Sequence, residues 1–522
     1  YVAFAFAFTV SYGMGANDAC NDWGTSVGAG TVKLWQAYIL CAIFNTLGAI
    51  LLGYKVTETI RTGIVDVSVY DIYVQYEPYN NTYVIVPSCN LTDPDMAPTF
   101  APPTLPPTMN DSSPIVECAR YTEASFMYGQ IGTLLGVAVF MIVSSIFKIP
   151  VSATHAIVGA TLASSLYLKG NEGIKWLEIA GIIASWFISP LIAGFFASLF
   201  YLVVKFTVLM RRHTFEAALN LCPVFMAFTL AVNLFACIYE GSKYLGFDKL
   251  PWWAAALISI AIGATVGLII QFPLRRFLKG RAINLYKAEL KEIEENGGPK
   301  KRNLEISTSN IIDTSYIIVN GTRIKLPVGE IEPPKGPWYK YISKNVTEDP
   351  LASKVFNALQ MVSASLLSFT HGANDTANTV GPLIAIWLTY QTGWALTPAE
   401  GRGDMQLLLL FGAVAMIAGF VTLGHRTMKL IADEITAEVS APSGFTVELG
   451  TAFTVLFCAK LGIPVSSTHC AVGAVLFVGM TKSTKEGVDW KVFGKICVVW
   501  LMCFPVSAGI SLFTTWLLYT CV

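Results

Sequence analysis

Charge is what this chain has least of. Of its 522 residues only 13% are Asp, Glu, Lys or Arg, 54% are hydrophobic, and 35 basic side chains cancel 35 acidic ones. A soluble domain carries about 25% charged residues, so a water-soluble fold is excluded. With no basic excess and no basic tail, nothing points to nucleic acid. Metal-binding or redox cysteine spacing is also missing. The eleven cysteines include no C-x-x-C pair and sit mostly in apolar runs, such as Cys41, Cys222, Cys237, Cys458, Cys497 and Cys503, so no cofactor is expected. One more absence is local. Between Val65 and Ala119 there is no Lys or Arg, against seven acidic residues. Loops poor in Lys and Arg face away from the cytoplasm.

That loop, 66–119, carries N-x-Ser/Thr sequons at Asn80, Asn90 and Asn110 and a Pro/Thr-rich stretch from Pro98 to Thr108. It reads as an extended, glycosylated extracellular segment in which a Cys89–Cys118 disulfide fits. Sequons of this kind favour the plasma membrane.

What is abundant is apolar sequence in lengths that can cross a bilayer. Runs fall near 1–13, 33–54, 126–148, 150–168, 177–209, 216–240, 251–274, 355–373, 406–424, 446–462, 463–481 and 492–520. A crossing needs roughly 20 residues, so the first helix is expected to begin before Tyr1. The pattern predicts an all-α polytopic membrane protein with about twelve transmembrane helices. Basic residues cluster at Arg211-Arg212-His213, at Arg275, Arg276, Lys279 and Arg281, and at Lys300-Lys301-Arg302. These loops are expected on the cytoplasmic side, where the sequons at Asn320 and Asn345 stay unmodified. The chain divides into an N-terminal membrane repeat with linking helices (1–274), a cytoplasmic loop (275–354) with a short charged helix over Lys287–Glu295, and a C-terminal membrane repeat (355–522).

The division is a duplication. Gly15-Ala16-Asn17-Asp18-Ala19-Cys20-Asn21 returns as Gly372-Ala373-Asn374-Asp375-Thr376-Ala377-Asn378. Further along, the stretch from Ile149 to Ala160 returns from Ile463 to Ala474 with nine of twelve positions identical, both copies containing Pro-Val-Ser-x-Thr-His. Span counting from the acidic loop to the basic insert, with the positive charge of His425, Arg426 and Lys429 in the second half, makes the repeats inverted and both chain ends outward-facing. Inverted repeats with broken or re-entrant helices at matching positions mark secondary transporters.

Each motif suits one ion. Asp18 and Asp375 fit a hard cation such as Na⁺, with Asn17, Asn21, Asn374 and Asn378 as neutral oxygen ligands or donors. Pro150 and Pro464 suit the first turn of a helix. Ser152, Thr154, Ser466, Ser467 and Thr468 then offer hydroxyls at a helix N-terminus, an anion site without Lys or Arg. Glu448, an acid within an apolar segment, is a further candidate cation ligand or proton site. His155 and His469 read more simply as core residues bonded to backbone. Both lie in predicted membrane segments, which argues against hydrolase chemistry and for a protein that is not an enzyme.

The doubled Gly-Ala-Asn-Asp-x-x-Asn and Pro-Val-Ser-x-Thr-His motifs resemble those of the PiT family of inorganic phosphate transporters, across nearly all membrane segments. The resemblance implies sodium-coupled (in some members proton-coupled) uptake of inorganic phosphate, twelve spans in two inverted repeats, and a homodimer in the lipid bilayer. It implies phosphate binding at Asn17, Asp18, Ser152, Thr154, Asn374, Asp375, Ser466, Ser467 and Thr468, and cation binding at Asp18, Asn21, Asp375, Asn378 and Glu448. Asn45 and Gln130 depart from it, since animal members commonly have Glu at both positions. A proton-coupled phosphate or sulfate symporter, a passive anion channel and a non-transporting phosphate sensor are the alternatives.

Overall fold

The computed structural model describes residues 1–70, 73–77, 82–86, 118–120, 123–239, 241, 246–295, 316–319, 322–325, 342, 348–397, 399, 402–425, 440–482 and 488–521. The expectations for Asn80, Cys89, Asn90, Asn110, Asn320, Asn345, Arg426, Lys429 and the Cys118 side chain lie outside the described residues.

The apolar runs fold as helices because a backbone in lipid must satisfy its own polar groups. The first half holds α1 (Val2–Asn17), α2 (Ala19–Gly28), α3 (Leu34–Glu58), α4 (Glu123–Ile146), α5 (Ala153–Lys169) and α6 (Trp176–Val204). Then come α7 (Thr214–Ile238), α8 (Trp252–Gln271) and α9 (Arg275–Glu295), the last longer than the charged helix read from the sequence. The second half holds α10 (Pro350–His371), α11 (Ala377–Thr392), α12 (Gly403–Gly419), α13 (Ala441–Lys460), α14 (Ser467–Lys482) and α15 (Trp490–Cys521). Among the described residues eight helices are long and apolar enough to cross a membrane. Two short antiparallel ribbons fall between the apolar runs. One orders its strands Thr82–Val86, Tyr73–Glu77, Cys118–Arg120, and the other is a hairpin of Tyr316–Val319 with Thr322–Lys325.

Four elements depart from the hydropathy reading. The runs near 150–168 and 463–481 form helices of 17 and 16 residues, about 25 Å long and short of a bilayer's ~30 Å core. Their first turns are buried. Helices α2 and α11 follow the two Asn-Asp motifs and were not legible as spans, because their polar residues depress the hydropathy of any window across them.

Packing repeats between the halves. Helix α1 lies on α4 and α12, and its sequence counterpart α10 lies on α13 and α3. Likewise α5 packs on α15 while α14 packs on α6, and α15 on α4 while α6 packs on α13. At the two central crossings glycine is required. A Cβ on Gly15 would strike the Met416 carbonyl and one on Gly419 the Tyr12 carbonyl; Gly372 meets the Asn45 carbonyl and Gly48 that of Phe369. Small residues let membrane helices approach at backbone distance. Helix α13 occupies the centre, its spanning window 89% buried, whereas α7, α8 and α15 are 28% buried and turn large apolar side chains outward.

Candidate functional site

Both Asn-Asp motifs break a helix. The first break falls at Asp18 between α1 and α2. The second is a π-helical turn over Gly372–Thr376 between α10 and α11, a distortion frequent at functional sites. Facing them, extended backbone at 149–152 and 463–466 leads into α5 and α14. Pro150 and Pro464 lie in these extended stretches, ahead of the first helical turn in which the sequence reading placed them. The reason is the cap. Ser152 accepts the His155 N–H at 3.4 Å and Ser466 the His469 N–H at 3.3 Å, so each serine starts its helix two residues after the proline.

The four elements are tied by bonds that cross between halves. Ser152 Oγ donates to Ser466 Oγ at 2.9 Å, which brings the two helix N-termini together. Asn21 donates to Thr468 at 3.1 Å, and Asn378 to Thr154 at 3.2 Å. Thr154 donates to the Val465 carbonyl at 3.0 Å and Thr468 to that of Val151 at 3.3 Å. Asn17 is held by Ile149 and Val151, donating to the carbonyl at 2.8 Å and accepting the N–H at 3.1 Å.

The aspartates converge on one helix end. Ser467 donates to Asp375 Oδ2 at 2.6 Å, and its neighbour Thr468 lies 3.3 Å from Asp18 Oδ1. Asn374 and Asn378 reach Asp375 Oδ1 at 2.7 and 3.3 Å. All these side chains are buried. The Asn374 and Asn378 Oδ1 atoms are buried beside the carboxylate without a hydrogen-bond partner. A buried unpaired carbonyl oxygen costs about 1–3 kcal/mol, and such oxygens next to a carboxylate are the donor set of a hard cation.

Several participants carried no signal in the repeat comparison. His371 Nδ1 lies 2.9 Å from Asp375 Oδ2 and 3.6 Å from Asp22 Oδ1. Asp22 also accepts from Ser368 at 3.0 Å, and Ser368 from the Trp23 indole at 2.7 Å. The other repeat has Met14 for His371 and Thr379 for Asp22, so this charged group has no copy. Its uncharged image survives as the 2.9 Å bond from Ser11 to Thr379.

Glu448 sits further along the same polar track. It is buried on α13 and receives hydrogen bonds from Thr25, from Ser26 at 2.7 Å, from Gln360 at 3.2 Å and from Ser363 at 2.5 Å. The eight residues from Ser363 to His371 place this cage about 12 Å along α10 from the aspartates. Gly24-Thr25-Ser26-Val27-Gly28 matches a G-x-S-x-G string, yet it lies inside α2 and not on a strand-to-helix turn, so it makes no nucleophile elbow.

His155 and His469 pack as core residues, their ring centroids 4.5 Å apart. His469 stacks on Trp500 at 3.6 Å, and His155 lies tilted against Trp186 at 3.7 Å. Asn45 is fully buried and donates to Met416 Sδ at 3.2 Å; Gln130 is also buried.

A bundle of membrane-length helices is thus interrupted by a buried, oxygen-rich cluster. A sequence signature described as the phosphate transporter family matches residues 14–88 and 108–511. The chain belongs to that family. It is 27% identical to "Sodium-dependent phosphate transporter 1-B" of Danio rerio, over 94% of this chain and 90% of the relative. It is 28% identical to "Sodium-dependent phosphate transporter 2" of Xenopus tropicalis, over 94% of this chain and 93% of that one. A solved structure, "The sodium-dependent phosphate transporter", superposes with a TM-score of 0.71 over 100% of this chain and 99% of its own, at 23% identity, and so shares the fold.

Proposed function

We propose that this chain is a sodium-coupled symporter of inorganic phosphate, working by alternating access between two inverted-topology repeats with twelve crossings in all. The observation that carries the reading is the convergence of Asp18 and Asp375 on the first turn of α14, through Thr468 and Ser467. A phosphate at the two meeting helix N-termini would need these same hydroxyls. It would also stand beside two carboxylates, and like charges 4 Å apart repel by about 4 kcal/mol at an effective dielectric of 20. Na⁺ on Asp18 and Asn21, and on Asp375 and Asn378, removes the repulsion and competes with the hydroxyls for the carboxylate oxygens. The hydroxyls of Ser152, Thr154, Ser466, Ser467 and Thr468 and the amides of Asn17 and Asn374 are then free to turn to phosphate. Affinity for each ion depends on the other, and that reciprocity is coupling. Cation coupling is also needed energetically, because each charge moved against the membrane potential costs about 2.3 kcal/mol per 100 mV.

Glu448, in its cage of four donors, is the further cation site of this reading. Named relatives are sodium-dependent phosphate transporters, which supports the choice of both ions. The exchange of packing partners between halves supports inversion. We place the protein in the plasma membrane as a homodimer, with segment 66–119 outside and 275–354 in the cytoplasm. Labelled phosphate uptake into liposomes holding the purified chain tests the reading. Accumulation above the external level with an inward Na⁺ gradient supports it. Uptake driven by a pH gradient alone, or equal uptake of sulfate, replaces it with the proton-coupled or sulfate alternative; phosphate binding without flux makes the chain a sensor.

A further inference from the structure

The α6–α7 turn carries a group of cations that the transport reading does not use. The helices around it, Trp176–Leu209 and Thr214–Ile238, are both of membrane-spanning character, so residues 210–213 emerge at a bilayer surface. There Arg211, Arg212 and His213 line a cavity of about 870 Å³ together with Phe206, Met210 and Leu221. Arg275 and Lys279, at the start of α9, reach the same place. They bond Glu216, which also lines the cavity, at 3.0 and 2.6 Å, and Arg275 bonds Asn220 at 2.5 Å. Arg275 and Lys279 hold the Glu216 carboxylate, and Arg211 and Arg212 lie with it on the cavity wall. Arg211 and Arg212 are exposed. On the same side, Phe272 (71% exposed) and Phe277 (61% exposed) flank the cationic start of α9.

We propose that this cavity binds the phosphorylated headgroup of an anionic phospholipid of the adjoining leaflet. Arg211 and Arg212 hold the phosphate, and the apolar wall of Phe206, Met210 and Leu221 takes the first part of the acyl chains. A basic pocket between membrane helices is the chemistry that selects such headgroups, and arginine's fork matches phosphate oxygens in pairs. A site for free phosphate would not need the apolar wall or the exposed phenylalanines beside it; a lipid uses both.

The test is fluorescence anisotropy of a labelled short-chain phosphatidylinositol phosphate titrated with the full-length protein in neutral detergent. Saturable binding is expected, weakened at least tenfold by Arg211→Gln/Arg212→Gln and unchanged by Arg402→Gln, which neutralises an arginine paired with Asp404 elsewhere. The double variant should elute and melt as the parent does. Unlabelled lipid should displace the probe, and inorganic phosphate at the same concentration should not. Equal binding by the double variant, an equal loss with Arg402→Gln, or displacement by inorganic phosphate would each overturn the proposal. Because the readout is lipid binding and not flux, failure here leaves the symport reading standing.

Discussion

Ser152 and Ser466 hold the same place in the two copies of Pro-Val-Ser-x-Thr-His, and they hydrogen-bond to each other at 2.9 Å. Each is also the N-cap of its helix. Two helix N-termini therefore meet head to head at a contact between identical residues. Each contributes about half a positive charge from its aligned peptide dipoles, and the effect fades within a turn. A mobile anion can be held there without a fixed cation, which would have to be neutralised at every cycle.

The cross-half bonds Asn21–Thr468 and Asn378–Thr154 are buried at both ends. Removing either partner takes one buried hydrogen bond from the other, at a cost of about 0.5–1.5 kcal/mol. Thr154→Ala and Asn378→Ala should each lower the melting temperature in detergent, and the double variant should fall short of their sum. Strict additivity would show that the pair is not coupled.

Gly15 and Gly372 lie at backbone contact with Met416 and Asn45, each one alanine ahead of an Asn-Asp pair. Gly372→Ala should push α3 from α10, destabilise by about 1–3 kcal/mol and displace Asp375. Phosphate uptake should fall far more than surface expression. The control is Gly509→Ala, where a Cβ meets nothing; an equal loss in both would contradict the packing account.

Lys148 ends α4 with a left-handed backbone, φ 58°, where its second-half counterpart Gly462 has φ 71°. A side chain there costs roughly 1–2 kcal/mol. Lys148→Gly should stabilise modestly and Gly462→Ala destabilise, both without changing ion dependence. Melting curves decide the signs, and a destabilised Lys148→Gly would mean that the lysine side chain outweighs the strain.

Glu448→Gln keeps the shape of the cage and removes its charge. Sodium should then protect the protein less against thermal unfolding, and the sodium dependence of uptake should become shallower. An unchanged sodium dependence would assign Glu448 to structure alone.

Much of the site was legible because its residues come in pairs. Asn21, Asn378, Thr154 and Thr468 were found as repeated letters and bond each other across the bundle. What has no copy was harder to see. Asp22 and His371 adjoin the motifs, but Thr379 and Met14 stand at their counterparts, so comparing the halves discarded them. The donors to Glu448 were hidden among ordinary Ser and Thr of apolar helices. The signal available was the acid itself, since a buried carboxylate needs partners. Helices α5 and α14 were read as full crossings because a hydropathy window records length and polarity and not where a helix begins in depth. Pro150 and Pro464 were read one step too far along because Ser152 and Ser466, and not the prolines, cap these helices.

The central claim is that Asp18 and Asp375 carry the cations that make phosphate binding possible. It is tested most directly by phosphate uptake under a sodium gradient into liposomes holding Asp18→Asn or Asp375→Asn protein. Replacing a buried carboxylate that holds a cation should cost about 3 kcal/mol or more, roughly a hundredfold loss of uptake, with protein that elutes and melts as the parent does. Normal sodium-driven uptake by both variants would contradict the account.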